Sequence, residues 1–167
     1  PFLKANYEKL PYIDNYQDIL YGQPNLYQLF LWWAVKATKQ NGHISFLIPL
    51  SIRSGSYFKK LRKEIKASCQ IIALTNFSQR KGFFDTVDQQ LLAVSLKKTT
   101  KAPAPAIKLQ ISTHNKALHE QTPVCVTQEN VIRDRGGEPI WFMSDDILDY
   151  AILEKSYNTK KLLGTVK

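Results

Sequence analysis

The apolar and polar positions of the first hundred residues follow helical and strand-like patterns in turn. After Pro24, apolar residues recur every three or four positions, which predicts a helix with one buried face. That face consists of Leu26, Leu29, Phe30, Trp33 and Ala37. Asn41-Gly42 is a typical helix stop, so we expect the helix to end before it.

Three nearly apolar runs, HISFLIPL, QIIALTNF and LLAVSLKK, predict strands. The first ends at Pro49 and is typical of a strand covered on both faces, as parallel sheets have. Between the first two runs, SYFKKLRKEIKAS places Phe58, Leu61 and Ile65 on one side and basic residues on the other, which predicts an amphipathic helix with a basic outer face. No helix pattern separates the last two runs, which favours an antiparallel pair.

The helix and strand patterns in the final third of the chain are shorter. KKTTKAPAPA reads as a stiff linker, IKLQIST and PVCVT as strands, RDRGGEP as a turn, and SDDILDYAILEK as a helix capped by Ser144 with aspartates in its first turn. The whole pattern predicts an α/β fold. We divide it into a layered domain over residues 1–100 and a linker, short strands and a connector helix over 101–167, a β/α appendage.

The net charge of +9 is concentrated in residues 53–108, which hold twelve basic side chains against three acidic ones. This suits a polyanionic partner, although a solvated helix face with basic loop tips would give the same count. No apolar stretch reaches the roughly 20 residues of a membrane helix, so we expect no membrane span.

Sequence motifs for common cofactors are missing. The chain has no GxGxxG and no GxxxxGK[ST] motif, and its two cysteines and three histidines lack the spacing of a metal site, so we expect none. From motifs alone, the chain is a basic α/β domain without a recognisable catalytic centre.

The order of several short patches adds a resemblance. They are Asn25 to Phe30, Gly42, Ile48 to Ser51, Lys60 to Arg62, Ile71 to Phe77 and Phe84 to Val87. In this order and at these spacings, over about residues 20–98, the chain resembles the adenine-specific, amino-group DNA methyltransferases of restriction-modification systems. The resemblance implies the distal half of a Rossmann-like, S-adenosylmethionine-dependent methyltransferase sheet. KLLG at 161–164 resembles the family's lead into a target-recognition domain, which we expect to be absent.

The resemblance also implies roles for particular residues. Pro1 and Phe2 match the end of an NPPF catalytic motif, and the S-adenosylmethionine loop is expected upstream, with no cofactor-binding residue in this chain. Phe84, or its neighbour Phe83, matches an aromatic that supports a flipped base. Family members hold the adenine amine with the asparagine oxygen and a proline carbonyl of the motif, so the fragment alone is expected to be inactive.

Position in the predicted sheet suggests further site residues. Pro49 and Ser51 follow the carboxyl end of a strand, where open α/β sheets place their sites, although a strand terminator and a helix cap explain them equally well. Candidate phosphate contacts are Arg53, Lys59, Lys60, Arg80 and Lys81.

Two hypotheses follow. The chain is part of a methyltransferase acting on double-stranded DNA in a bacterial or archaeal cytoplasm, or it is a noncatalytic basic module that binds nucleic acid or protein. As a methyltransferase fragment without the first four strands, the chain would have an open sheet edge beside HISFLIPL, which predicts self-association or a rearranged sheet.

Overall fold

The computed structural model describes residues 11–77, 89–99, 107–112 and 122–163, without the side chains of 111–112 and 157–163. The strands are β1 (His43–Pro49), β2 (Cys69–Phe77), β3 (Leu91–Lys98), β4 (Ile107–Ser112), β5 (Val124–Val126), β6 (Ile132–Arg135) and β7 (Glu138–Trp141). The α-helices are α1 (Leu26–Ala37), α2 (Lys59–Ser68), α3 (Gln128–Val131) and α4 (Ile147–Leu163). The predicted α/β fold is confirmed, and the predicted helices and strands occur in the expected order; α3, β6 and β7 were not predicted.

A five-stranded sheet, in the order β1-β3-β2-β4-β5, forms the centre of the fold. Strand β3 is antiparallel to both β1 and β2, and β2 pairs in parallel with β4. The predicted antiparallel pair of β2 and β3 is therefore confirmed. Strands β4 and β5, from the predicted appendage, extend the same sheet, while β6 and β7 form a separate hairpin. The division at residue 100 stays a prediction.

Strand β1 differs from the prediction. It is antiparallel to its neighbour, lies at one edge of the described sheet, and alternates buried and exposed side chains. Ile44 and Ile48 are buried, whereas Leu47 is 48% exposed. The prediction of two covered faces was wrong because a continuous apolar run does not show whether anything packs on each face.

Helix α1 forms where predicted, but its buried face is rotated. The buried residues are Gln28, Leu29, Leu31, Trp32 and Val35. Phe30 and Trp33 are 60% and 59% exposed, so their assignment to the core face was wrong. The sequence LYQLFLWWAVKA is apolar almost all round, and spacing alone cannot choose between its faces.

Helix α2 buries Phe58, at its start, together with Leu61 and Ile65, as predicted. Its basic face is not wholly outward, however, because Arg62 is fully buried against the hairpin. Arg62 stands four residues after Phe58 and three before Ile65, in line with the apolar stripe. This spacing indicates that Arg62 faces the core, whereas the prediction of an outward-facing side chain relied on its polarity alone.

The last helix begins later than predicted. Helix α4 starts at Ile147, and the Asp146 carboxylate accepts a hydrogen bond from the Leu148 amide at 2.8 Å. Ser144 lies outside the helix, accepts from the Asp146 amide at 3.1 Å and donates to Asp149. The cap assigned to Ser144 was therefore wrong, since Asp146 holds that position. No helix in the described ranges is long and apolar enough to cross a membrane.

Candidate functional site

The carboxyl ends of β1 and β2 meet at one edge of the sheet. Both strands are antiparallel to β3, so they run in the same direction, and Pro49 and Phe77 both pair with Leu91 at the start of β3. Strand β4 ends at the same edge, because its last residue, Ser112, pairs with Phe77. Ligand sites in open α/β sheets lie outside such strand ends.

An open cleft of about 540 Å³ lies at this edge. It is lined by Pro49, Leu50, Ser51, Arg53, Ser54, Asn76, Gln89 and Gln90. The structure thus brings together three residues selected from sequence, namely Pro49, Ser51 and Arg53. Asn76 and the two glutamines were missed, because an amide at a strand end carries no motif.

The loop that forms one wall of the cleft is held from behind by Arg62. Its guanidinium donates to the Ile52 carbonyl at 2.9 Å, to the Gly55 carbonyl at 2.8 Å, and to the Pro139 carbonyl of β7. Burial lowers the pKa of Arg62 to about 10, so the side chain remains a cation at neutral pH. One buried cation therefore fixes the cleft loop, α2 and the hairpin relative to one another.

Gly55 closes this loop through close backbone approach. A Cβ atom at this position would lie 2.7 Å from the Ser51 carbonyl oxygen, whereas the Gly55 amide now donates to that oxygen at 2.8 Å. Any side chain would have to displace backbone, and with it the wall that carries Ser51 and Arg53.

Tyr27 of α1 supports the loop from a second direction. Its hydroxyl lies 3.3 Å from the Ser51 hydroxyl, and its ring packs against Phe58 with centroids 5.2 Å apart. Burial raises the pKa of the Tyr27 phenol well above its usual value, so the group is neutral at physiological pH. Either hydroxyl is able to donate in this pair.

Arg53 is the charged group of the described cleft wall. The side chain is partly buried, and burial lowers its pKa while the nearby Tyr150 phenol acts in the opposite direction. Among the residues that the structure describes, no carboxylate lies within ion-pair distance of Arg53. A guanidinium so placed is available to an anionic ligand, and its fork-shaped donors fit a phosphate.

Asn76 is the second unusual group. It follows Ile71 and Leu74 on the core side of β2 and is itself 8% exposed. Its Oδ1 is buried without a hydrogen-bond partner among the described residues. Such an unsatisfied acceptor costs about 1–3 kcal/mol of folding free energy, and it borders an open cleft.

Comparison with known proteins identifies the family. A model of the family described as "Eco57I restriction-modification methylase" matches residues 1–84, half of the chain. The chain belongs to the Eco57I restriction-modification methylase family.

One curated protein and one solved structure are also similar to this chain. The chain is 33% identical over 76 residues to the type II methyltransferase M.PstI of Providencia stuartii, a match covering 44% of this chain and 15% of that protein. Its fold is similar to the crystal structure described as a modification subunit of a type I restriction enzyme from Vibrio vulnificus YJ016. That match has a TM-score of 0.59 at 13% identity and covers 90% of this chain and 37% of the other. The chain therefore spans well under half the length of either relative, and the likeness confirms the predicted fold.

Two other residues selected from sequence, Lys59 and Lys60, do not line the cleft of this methylase-family chain. The Lys59 ammonium lies 2.6 Å from Glu138 and 4.0 Å from the centre of the Tyr21 ring. The hydrogen bond to Glu138 raises the pKa of Lys59. Because this cation has a partner within the chain, we leave it out of the proposed phosphate contacts. Lys60 is exposed and does not line the cleft.

The remaining site predictions lie outside the described residues. These are Pro1, Phe2, Arg80, Lys81, Phe83 and Phe84. Arg80, Lys81, Phe83 and Phe84 come between Phe77, which ends β2, and Gln89, which lines the cleft. The roles assigned to all six stay predictions.

Proposed function

We propose that the protein containing this chain is a DNA methyltransferase of a restriction-modification system, which transfers a methyl group from S-adenosylmethionine to the exocyclic amine of adenine. Family membership supports the methylase activity. The observation that carries the proposal is the cleft at the carboxyl edge of β1 and β2, where Arg53 and the Asn76 amide stand among neutral polar groups.

The cleft offers complementary chemistry for one nucleotide. Arg53 would bind a backbone phosphate, which anchors DNA without reading its sequence. Pro49 and Leu50 supply apolar surface, and Ser51 and Asn76 supply hydrogen-bonding groups. Methyltransferases that act on a base take it out of the helix, and such a pocket would receive it there. We propose that Phe84, or Phe83, supports the base by stacking, as the resemblance implies.

The described cleft is a poor match for the cofactor. S-adenosylmethionine carries a sulfonium, an ammonium and a carboxylate; Arg53 could pair with the carboxylate, but the described lining includes no acidic side chain for the two cations. We propose that the donor binds to another part of the protein, and that the catalytic motif ends at Pro1-Phe2.

The experiment is to incubate the full-length protein with S-adenosylmethionine and unmodified DNA, and to identify the modified nucleoside by mass spectrometry. N6-methyladenine is the expected product. Methylated cytosine would contradict the adenine assignment. Absence of methylated nucleosides, together with salt-dependent DNA binding, would favour the noncatalytic basic module instead.

We also propose that the isolated chain self-associates through β1. This strand lies at the edge of the described sheet, and Leu47 exposes an apolar side chain there. Light scattering tests this: the chain is expected to form dimers or larger species, and Leu47→Lys should shift them towards monomer. A monomer at all concentrations would contradict it.

A further inference from the structure

We infer that Asn76 is the residue by which the cleft recognises the base, through a hydrogen bond from its carboxamide to a ring nitrogen of adenine; this rests on the proposed function. Three observations support it. Asn76 is more than nine-tenths buried, it lines the cleft, and its Oδ1 has no partner among the described residues.

An asparagine is unusual at position 76, because the position faces the core. Strand β2 fills its other core-facing sites with Cys69, Ile71 and Leu74, and an apolar side chain at 76 would continue that series. An amide here has unused hydrogen-bonding capacity, which a ligand in the cleft is able to satisfy. The neighbouring wall does not satisfy it: Asn76 Oδ1 has no hydrogen-bond partner among the described residues, and the Ser51 hydroxyl lies 3.3 Å from the Tyr27 hydroxyl.

Chemistry selects the atom that Asn76 contacts. In the proposed reaction the lone pair of the exocyclic amine must remain free to attack the methyl group, and the catalytic motif is expected to hold the amine hydrogens. The ring nitrogens are then the polar atoms by which another residue can orient the base. Those nitrogens are acceptors. A half-turn about χ2 exchanges the carboxamide oxygen and nitrogen, so Asn76 is able to present an Nδ2–H donor to them. Asn76 would thus fix the base without engaging the nucleophile.

The test uses the full-length protein and a duplex carrying the methylation site, which is first located by sequencing methylated DNA. Duplexes with 1-deaza-, 3-deaza- or 7-deazaadenine at the target position each lack one ring nitrogen. We expect the unsubstituted protein to bind one of these duplexes about tenfold more weakly than the adenine duplex, the effect of one hydrogen bond to the base.

Two variants remove the donor. Asn76→Leu continues the apolar series and Asn76→Asp keeps the shape but offers acceptors alone, so both are expected to bind all three analogues and adenine alike. Thr75→Val, next to it on β2 and outside the cleft lining, is the matched control and should keep the discrimination. A duplex with an abasic target should bind equally to all four proteins.

Each outcome decides between the two proposals. If the unsubstituted protein discriminates against none of the analogues, or Asn76→Leu and Asn76→Asp discriminate as it does, the inference is wrong while the methyltransferase proposal stands. If the protein methylates no adenine in DNA, the proposed function fails first and the inference fails with it. Thermal unfolding of each variant separates lost recognition from lost folding.

Discussion

Two arginines on opposite sides of the same loop have different relations to their surroundings. Arg62 lies behind the loop, is fully buried, and donates to three main-chain carbonyls. Arg53 lies on the cleft side, partly exposed, with no carboxylate partner among the described residues. The comparison shows that one basic segment contains both a cation bonded within the fold and a cation left available to a ligand, and that burial and hydrogen bonds distinguish them where charge does not.

The largest effect should come from removing the structural cation. Arg62→Leu would leave the carbonyls of Ile52, Gly55 and Pro139 without their donor and is expected to lower the free energy of unfolding by about 2–4 kcal/mol. Urea unfolding measures this. Lys63→Leu, at an exposed position of the same helix, is the control and should change it by less than about 0.5 kcal/mol. Similar values for both would mean that Arg62 does not hold the loop.

The next effect should be on activity without loss of stability, at the aromatic residue proposed to support the base. Phe84→Ala in the full-length protein is expected to lower methylation at least tenfold, because stacking of a base on an aromatic ring contributes about 1–3 kcal/mol. The rate of methyl incorporation and the urea midpoint are measured together. Phe83→Ala serves as the comparison that identifies which aromatic acts. Unchanged rates in both variants would remove the pair from the pocket.

Arg53 should give a smaller and salt-dependent effect. Arg53→Gln is expected to weaken DNA binding a few-fold and to reduce the slope of log affinity against log salt by about 0.9, the value for one phosphate contact on duplex DNA. Fluorescence anisotropy over a salt series measures both. Lys63→Gln, at an exposed position of α2 that neither lines the cleft nor belongs to the candidate phosphate contacts, is the control and should keep the slope. An unchanged slope for Arg53→Gln would place its guanidinium away from DNA.

The smallest effect concerns pH and Tyr27. Burial raises the pKa of its phenol in the folded state, so above the unfolded value of about 10 the unfolded chain binds fewer protons and stability falls as pH rises. Tyr27→Phe removes this contribution. We expect the protein to lose stability relative to Tyr27→Phe between about pH 9 and 11, and the two to differ by under about 1 kcal/mol at pH 7. A constant difference across this range would contradict the assignment.

Much of this architecture could be predicted from residue order alone. Strand runs and turn residues located β1, β2 and β3, and the lack of a helix between β2 and β3 gave their antiparallel pairing. The strand-end argument also located Pro49 and Ser51 in what became the cleft. These features depend on local pattern, which sequence carries directly.

Features set by tertiary contacts could not be predicted in this way. The buried face of α1 is chosen by what packs on it, since both sides of LYQLFLWWAVKA are apolar. Arg62 is buried where the Ile52 and Gly55 carbonyls, ten and seven residues before it, meet the Pro139 carbonyl, 77 residues after it. Asn76 shares the cleft with Ser51 and Arg53 of the loop after β1. These arrangements depend on how separate elements pack together, which the local pattern does not specify.

The rigidity of the loop that forms one wall of the cleft also bears on which partner must change shape during binding. With Gly55 packed on Ser51, and with Arg62 and Tyr27 attached from behind, the wall already has its shape before a ligand arrives. A preformed wall loses little conformational entropy on association, so the protein surface would bind its ligand with little change in shape. The larger rearrangement, and the free energy it consumes, would then fall on the nucleic acid.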